Sequence, residues 1–306
     1  METALLSVTS FATIIALGIA ASRLDLISKG ADKLISTIVF KLTLPATIIH
    51  AFGSTEVLPS MLVIVVVGFA CAAIPYAVAL LATSHMSQQD RPLFLFGAGG
   101  MNIGCFALPF IQAIFPASSV VTACLIDAGN SIVVTGGSFA LTKALLGGED
   151  DPHRLRTMLK RLFSSIPFDC YILLVALALA GIRIPGVVIE FVEPIANANP
   201  FLSLFMLGLM TSTHVNARKL NRLFEVLALR VSTSLVLSFA VWFFLPVDSL
   251  TRCVIATVIW APMSALAPLY TLWCGGDHGL SGLAGTVSIA IGITAMLVII
   301  TCSGVL

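Results

Sequence analysis

The sequence predicts an all-α membrane protein with ten transmembrane helices in two inverted five-helix repeats, the fourth and ninth helices broken. Three observations predict it. Of 306 residues, 58% are hydrophobic and only 10% are charged, with mean hydropathy +1.06, whereas about a quarter of the residues of a soluble domain are charged. The chain divides into ten apolar stretches, each close to the roughly 20 residues that cross a bilayer. Two of them are interrupted by glycine, asparagine or proline at corresponding places.

The stretches fall at 3–21, 33–52, 59–82, 92–114, 118–146, 162–182, 186–210, 223–245, 251–273 and 280–304. The first has no basic n-region and no small-residue cleavage site, so it is expected to be a retained span rather than a signal peptide. The second carries Lys41 and Pro45 in "KLTLPA", and the third is almost continuously apolar. The fourth holds "GGMNIGCFALPF" (99–110), and the fifth holds Asp127 with Asn130 nearly one turn on. The polar loop "GGEDDPHRLRTMLK" (147–160) follows. The sixth span begins after "SSIP", and its Asp169 reads as a helix-start acid; the seventh has Glu190 and Glu193 at its outer end and Pro200 in "NANPFLSLFMLG". The eighth carries Arg230, seven residues in and expected to snorkel to the surface. The ninth holds "APMSALAPLY" with Pro262 and Pro268, and the tenth is uninterrupted.

Basic residues collect on the cytoplasmic side of membrane proteins. With the N-terminus outside, the inner side holds Arg23, Lys29, Lys33, Arg91, Lys143, Arg154, Arg156, Lys160, Arg161, Arg218, Lys219 and Arg222, against Arg183 and Arg252 outside. That asymmetry supports an even number of spans, and both termini are expected outside. The loop at 147–160 then separates a first five-helix repeat (1–146) from a second (161–306). An odd number of spans per half forces the second half to enter the membrane upside down. Pro45 and Pro200 are 155 positions apart, and Pro109 and Pro268 are 159 apart.

A rise of 1.5 Å per residue puts Asn102 about 15 Å deep from one side, and Ser264 at a similar depth from the other. A helix broken there leaves backbone groups that hydrocarbon cannot satisfy, so the break must face protein or a water-filled cavity. Half-helix N-termini offer bare N–H donors and partial positive charge, which suit a carboxylate. Candidate substrate-binding residues are therefore Asn102, Gly104, Pro109, Pro262, Ser264, Pro268 and Tyr270, with Pro45 and Pro200 at the matching interruptions of the second and seventh spans.

"NIGCFALPF", together with "KLTLPATII", "ANPFLSLFMLGL" and "APMSALAPLYTLWCGGD" in order and spacing, resembles the auxin efflux carrier family, which includes plant auxin exporters and bacterial organic-acid carriers. The resemblance implies fourth and ninth helices that cross at the substrate site. It also implies elevator-type motion of a transport domain past a scaffold, carboxylate substrates, a homodimer, and residence in a cell membrane such as the bacterial inner membrane. Ile103 stands where the family has Ser or Thr, Ala107 where it has Gly, and Met101 where the plant carriers have Pro, so Asn102 and the prolines are what carries over.

Ionisable groups at depth are functional candidates. Lys41 and Asp127 both approach the midplane and are expected to form a buried pair, with Asn130 extending a polar face that a solute, ion or proton could use. The function expected is a secondary transporter of small organic anions, with protons as a candidate coupling ion. Alternatives are a sodium-coupled symporter of the bile acid type and a non-transporting ligand sensor on a carrier fold. No nucleotide-binding loop, HExxH, GxGD or GxSxG motif is present, so neither ATP use nor intramembrane hydrolysis is expected. The seven cysteines lack metal-ligand spacing. No cofactor, metal or nucleic acid is expected.

Overall fold

A computed structural model describes residues 2–28, 30–55, 57–146, 156, 159–160, 162–211 and 220–304. Most of the expected cytoplasmic loop at 147–160 lies outside the described residues. Among those described there is no strand. The helices are α1 (Glu2–Arg23), α2 (Ala31–Ser54), α3 (Val63–Ala82), α4a (Arg91–Ala98) and α4b (Ile103–Ile114), and α5 (Ala117–Leu145). There follow α6 (Ile166–Leu179), α7 (Gly186–Leu209), α8 (Leu220–Phe244), α9a (Ser249–Ile259), α9b (Ala267–Trp273) and α10 (His278–Ser303).

By length and apolarity, α2, α3 with its leading turn, α5, α8 and α10 can each cross a membrane, and α4a with α4b makes a sixth span bent by 49°. Of the remaining helices, α6, α7 and α9 fall short for visible reasons. α7 carries Glu190, Glu193, Asn197 and Asn199, α6 has 14 residues, and α9 is divided into pieces of 11 and 7. The surface supports the membrane reading. Leu81, Val187, Phe191, Phe224 and Phe244 are each at least 75% exposed, and apolar groups of that size spread over several helices are what lipid covers.

The helices pack in two groups, joined where α4b and α5 touch α1, α2, α6 and α7. In one, α7 lies against α1 and α2, and α6 against α2. In the other, α3 packs on α4a and α5, α8 on α9a and α10, and α4a on α8, α9b and α10. Small residues permit the closest approaches: Gly18 of α1 meets Gly208 of α7, and Gly68 and Gly129 bring α3 and α5 into backbone contact. The central helices are α4b and α5, whose residues 119–130 are buried without exception.

Pro200 explains a polar cluster between α2 and α7. Proline has no N–H, so the carbonyl four residues earlier loses its helical donor. That carbonyl, on Ala196, instead accepts the Thr47 hydroxyl at 3.3 Å. Beside it, the hydroxyls of Thr43 and Ser203 donate to Asn199 Oδ1 at 2.9 and 3.1 Å. Outside the apolar helices, Asp248 caps α9a by accepting from Thr251 N at 3.0 Å, and the Thr251 hydroxyl and amide hold its carboxyl below the ordinary carboxylate range.

Candidate functional site

The α4 break begins where α4a ends at Ala98. Gly100 has φ +82°, a left-handed conformation that costs glycine little and other residues much, and the chain turns there before α4b starts. Pro268 sits in the first turn of α9b, where a missing N–H costs nothing, and Pro109 sits inside α4b, where the π-helical stretch Ile103–Ala107 passes into regular helix. The two breaks meet: Asn102 N–H donates to the Pro262 carbonyl at 2.9 Å. Each is also pinned by the helix that follows it in sequence. The Asn130 side chain on α5 accepts from Met101 N and donates to Met101 O, both at 2.9 Å. Ser288 Oγ on α10 accepts from Met263 N at 3.1 Å.

Against this crossing lies a cavity of about 370 Å³. Its floor holds the buried residues Asn102, Gly104, Asp127, Asn130 and Ser264. Its mouth holds the exposed Lys41, Ser164, Ile166, Leu269 and Trp273. One wall comes from α2 and the start of α6, the other from α4b, α5 and α9b, so the cavity lies between the two helix groups. Three π-helical stretches contribute to it: Val39–Thr43 in α2, Ile103–Ala107 in α4b and Val133–Gly137 in α5. Such turns are rare and concentrate at functional sites. Here Phe40, Lys41, Ile103, Gly104, Cys105, Val134 and Thr135 all reach the cavity from them.

Of the twelve residues singled out in the sequence, seven line this cavity: Lys41, Asn102, Gly104, Asp127, Asn130, Ser264 and Tyr270. The five prolines do not. Pro109, Pro262 and Pro268 shape the breaks behind the wall, and Pro45 and Pro200 lie where α2 crosses α7. Gly104 is where Leu44 and Asp127 close on the backbone, since a Cβ there would meet Leu44 Cδ2 at 2.8 Å and Asp127 Oδ2 at 3.2 Å. Tyr270 is held by its hydroxyl on the Thr135 carbonyl at 2.8 Å. Asn102 joins the crossing through its backbone alone; among the described residues its side-chain amide has no hydrogen-bond partner.

The expected Lys41–Asp127 pair is not formed. The Tyr171 hydroxyl donates to Asp127 Oδ2 at 2.8 Å and Asn130 Nδ2 to Oδ1 at 3.0 Å, so neutral donors occupy both carboxylate oxygens. Among the described residues the ion pairs are those of Arg222 with Asp90 and Glu225, and Lys41 stands exposed at the cavity mouth. The two groups line one cavity but at different places, Asp127 buried on its floor and Lys41 exposed at its mouth. Arg230 is a second correction. It does not snorkel; it is 7% exposed and turned inward to the crossing. Its guanidinium donates to the carbonyls of Gly97, Ala98, Gly100 and Ala261 instead.

Tyr171, Arg230 and Ser288 were missed as site-building residues. A signal existed for the first: a buried tyrosine hydroxyl needs a partner, and the chain has three tyrosines, each bonded inside the bundle, Tyr76 to Thr142, Tyr171 to Asp127 and Tyr270 to Thr135. No family model matches the chain, and a search of curated proteins returns no match.

Proposed function

We propose that the chain is a secondary carrier for small organic anions, working by alternating access. The observation that carries this reading is the cavity at the meeting of two helix breaks, with the unpartnered Asn102 amide on its floor and the unpaired Lys41 ammonium at its mouth. A carboxylate entering it meets a cation first, then an amide and the opening N–H groups of α4b, a donor-rich path suited to an acceptor-only group. Broken helices meeting near the midplane are the usual location of carrier sites.

The packing supports the two inverted repeats as well. Exchanging the halves turns the contact of α1 with α7 into that of α6 with α2, and of α5 with α9a into that of α10 with α4a; each of these contacts is present. The two helix groups then act as scaffold (α1, α2, α6, α7) and transport domain (α3–α5, α8–α10), with the solute site on their shared face, as an elevator requires. With the N-terminus outside, the start of α2, the start of α6 and the end of α9b all lie at the cytoplasmic surface, so the cavity opens inward. The motif resemblance to auxin efflux carriers adds the carboxylate substrates and the homodimer, in the inner membrane of a bacterium or an equivalent cell membrane.

The test is uptake of labelled mono- and dicarboxylates into proteoliposomes by wild type and Asn102→Ala, with and without an imposed pH or sodium gradient. Saturable wild-type uptake that the variant loses at unchanged protein content is expected. Uptake equal in both removes Asn102 from the site, and no uptake by folded wild type refutes the carrier.

A further inference from the structure

We propose that Arg230 is the positioning residue of the crossing: one buried guanidinium on α8 that holds both broken helices together and cancels the negative poles of their first halves. The geometry is specific. Nη1 donates to the carbonyls of Gly97, Ala98 and Gly100, at 2.9, 3.3 and 3.2 Å, all at the end of α4a. Nη2 donates to the Ala261 carbonyl at 2.6 Å, just past the end of α9a. The carbonyls that a helix leaves unpaired at its C-terminus are thus met, at both breaks, by a single side chain from a third helix.

The charge balance agrees. A helix C-terminus carries about half a negative charge, so two of them directed at one point sum to about one, which a single arginine offsets. Among the described residues Arg230 has no acidic partner, and the helix ends take that place. Lysine is a poor substitute, because a point ammonium cannot reach two separated carbonyl clusters as a planar fork does. Without the cation, about one negative charge would lie behind the floor of the cavity, where it opposes an anion. This consequence for solute preference rests on the carrier reading; the holding of both breaks does not.

The experiment is hydrogen exchange by mass spectrometry on the full-length protein in lipid nanodiscs, for wild type, R230K and R230Q. Four stranded carbonyls, each costing on the scale of a lost buried hydrogen bond, lead to exchange about tenfold faster or more in R230Q over 99–103 and 260–265 together, with 186–209 unchanged. R230K, which keeps the charge and is the variant to read if R230Q does not fold, is expected to show a smaller rise at both breaks. A rise at one break alone, or at neither, overturns the proposal. In parallel, binding of succinate is compared with that of the neutral succinamide. R230Q is expected to lower the succinate preference and R230K to retain it; a preference equal in wild type and R230Q overturns the electrostatic half. If wild type binds neither compound while both breaks loosen in R230Q, the anion-carrier reading fails and the positioning role stands.

Discussion

Replacing Asn130 by alanine isolates the side chain on which the α4 break depends. Asn130 is 1% exposed and makes three hydrogen bonds, two to the backbone of Met101 and one to Asp127. Interhelical side-chain bonds in membranes average about 0.6 kcal/mol, because the chain unfolded in the membrane finds other partners, so the two to Met101 set a floor near 1 kcal/mol. Met101 lies in neither half-helix, however, and its N–H and C=O have no helical alternative. Leaving both unpaired at about 1–3 kcal/mol each sets a ceiling near 6 kcal/mol. Because Asn130 borders the cavity, water can enter the space vacated, which brings the expected loss to about 3 kcal/mol. Reversible unfolding in mixed micelles at fixed detergent composition measures it. Ser131→Ala, on the same cavity wall, serves as the reference and should shift stability by no more than about 0.5 kcal/mol. An Asn130→Ala loss no larger than that of Ser131→Ala would refute the claim that this side chain carries the break.

Two further outcomes follow from the packing and from Asp127. Gly129→Ala directs a Cβ at the Val65 carbonyl and the Phe69 amide, backbone atoms that cannot rotate aside, so α3 and α5 must separate at about 1–3 kcal/mol or more. Gly285→Ala, in a helix with open space around it, should gain up to about 1 kcal/mol; thermal unfolding of the two side by side checks this, and equal effects would contradict the close approach. In a double-mutant cycle, Tyr171→Phe and Asp127→Asn should couple by about 0.5–3 kcal/mol, whereas Lys41→Ala and Asp127→Asn should add within about 0.5 kcal/mol. Coupling seen only in the second cycle would restore the ion pair expected from sequence.

What the sequence conveyed well was which residues gather at one cavity. Apolar runs are bounded by polar residues, and a fixed rise per residue converts chain position into depth. By that measure Asn102, Ser264, Lys41, Asp127 and Asn130 are expected at similar depths, and one cavity holds all five, four on its floor and Lys41 at its mouth. What it did not convey was direction around each helix axis. Lys41 and Asp127 line one cavity, but Asp127 turns to Tyr171, 44 positions away, and nothing in the chain order of α5 and α6 announces that neighbour. The π-helical stretches make this harder, because a turn of different pitch shifts every later side chain around the axis, and they occur in α2, α4b and α5, the helices that build the site. Arg230 shows the same asymmetry from the energetic side. Seven residues into the span expected at 223–245, it could reach either the surface or the interior, and the choice fell to four carbonyls on two other segments. A charge within a span is thus better tested against the unpaired backbone of neighbouring breaks than against its distance from the nearest interface. In this chain the breaks at 99–102 and 260–266 were readable beforehand, and each one leaves carbonyls that a buried cation satisfies.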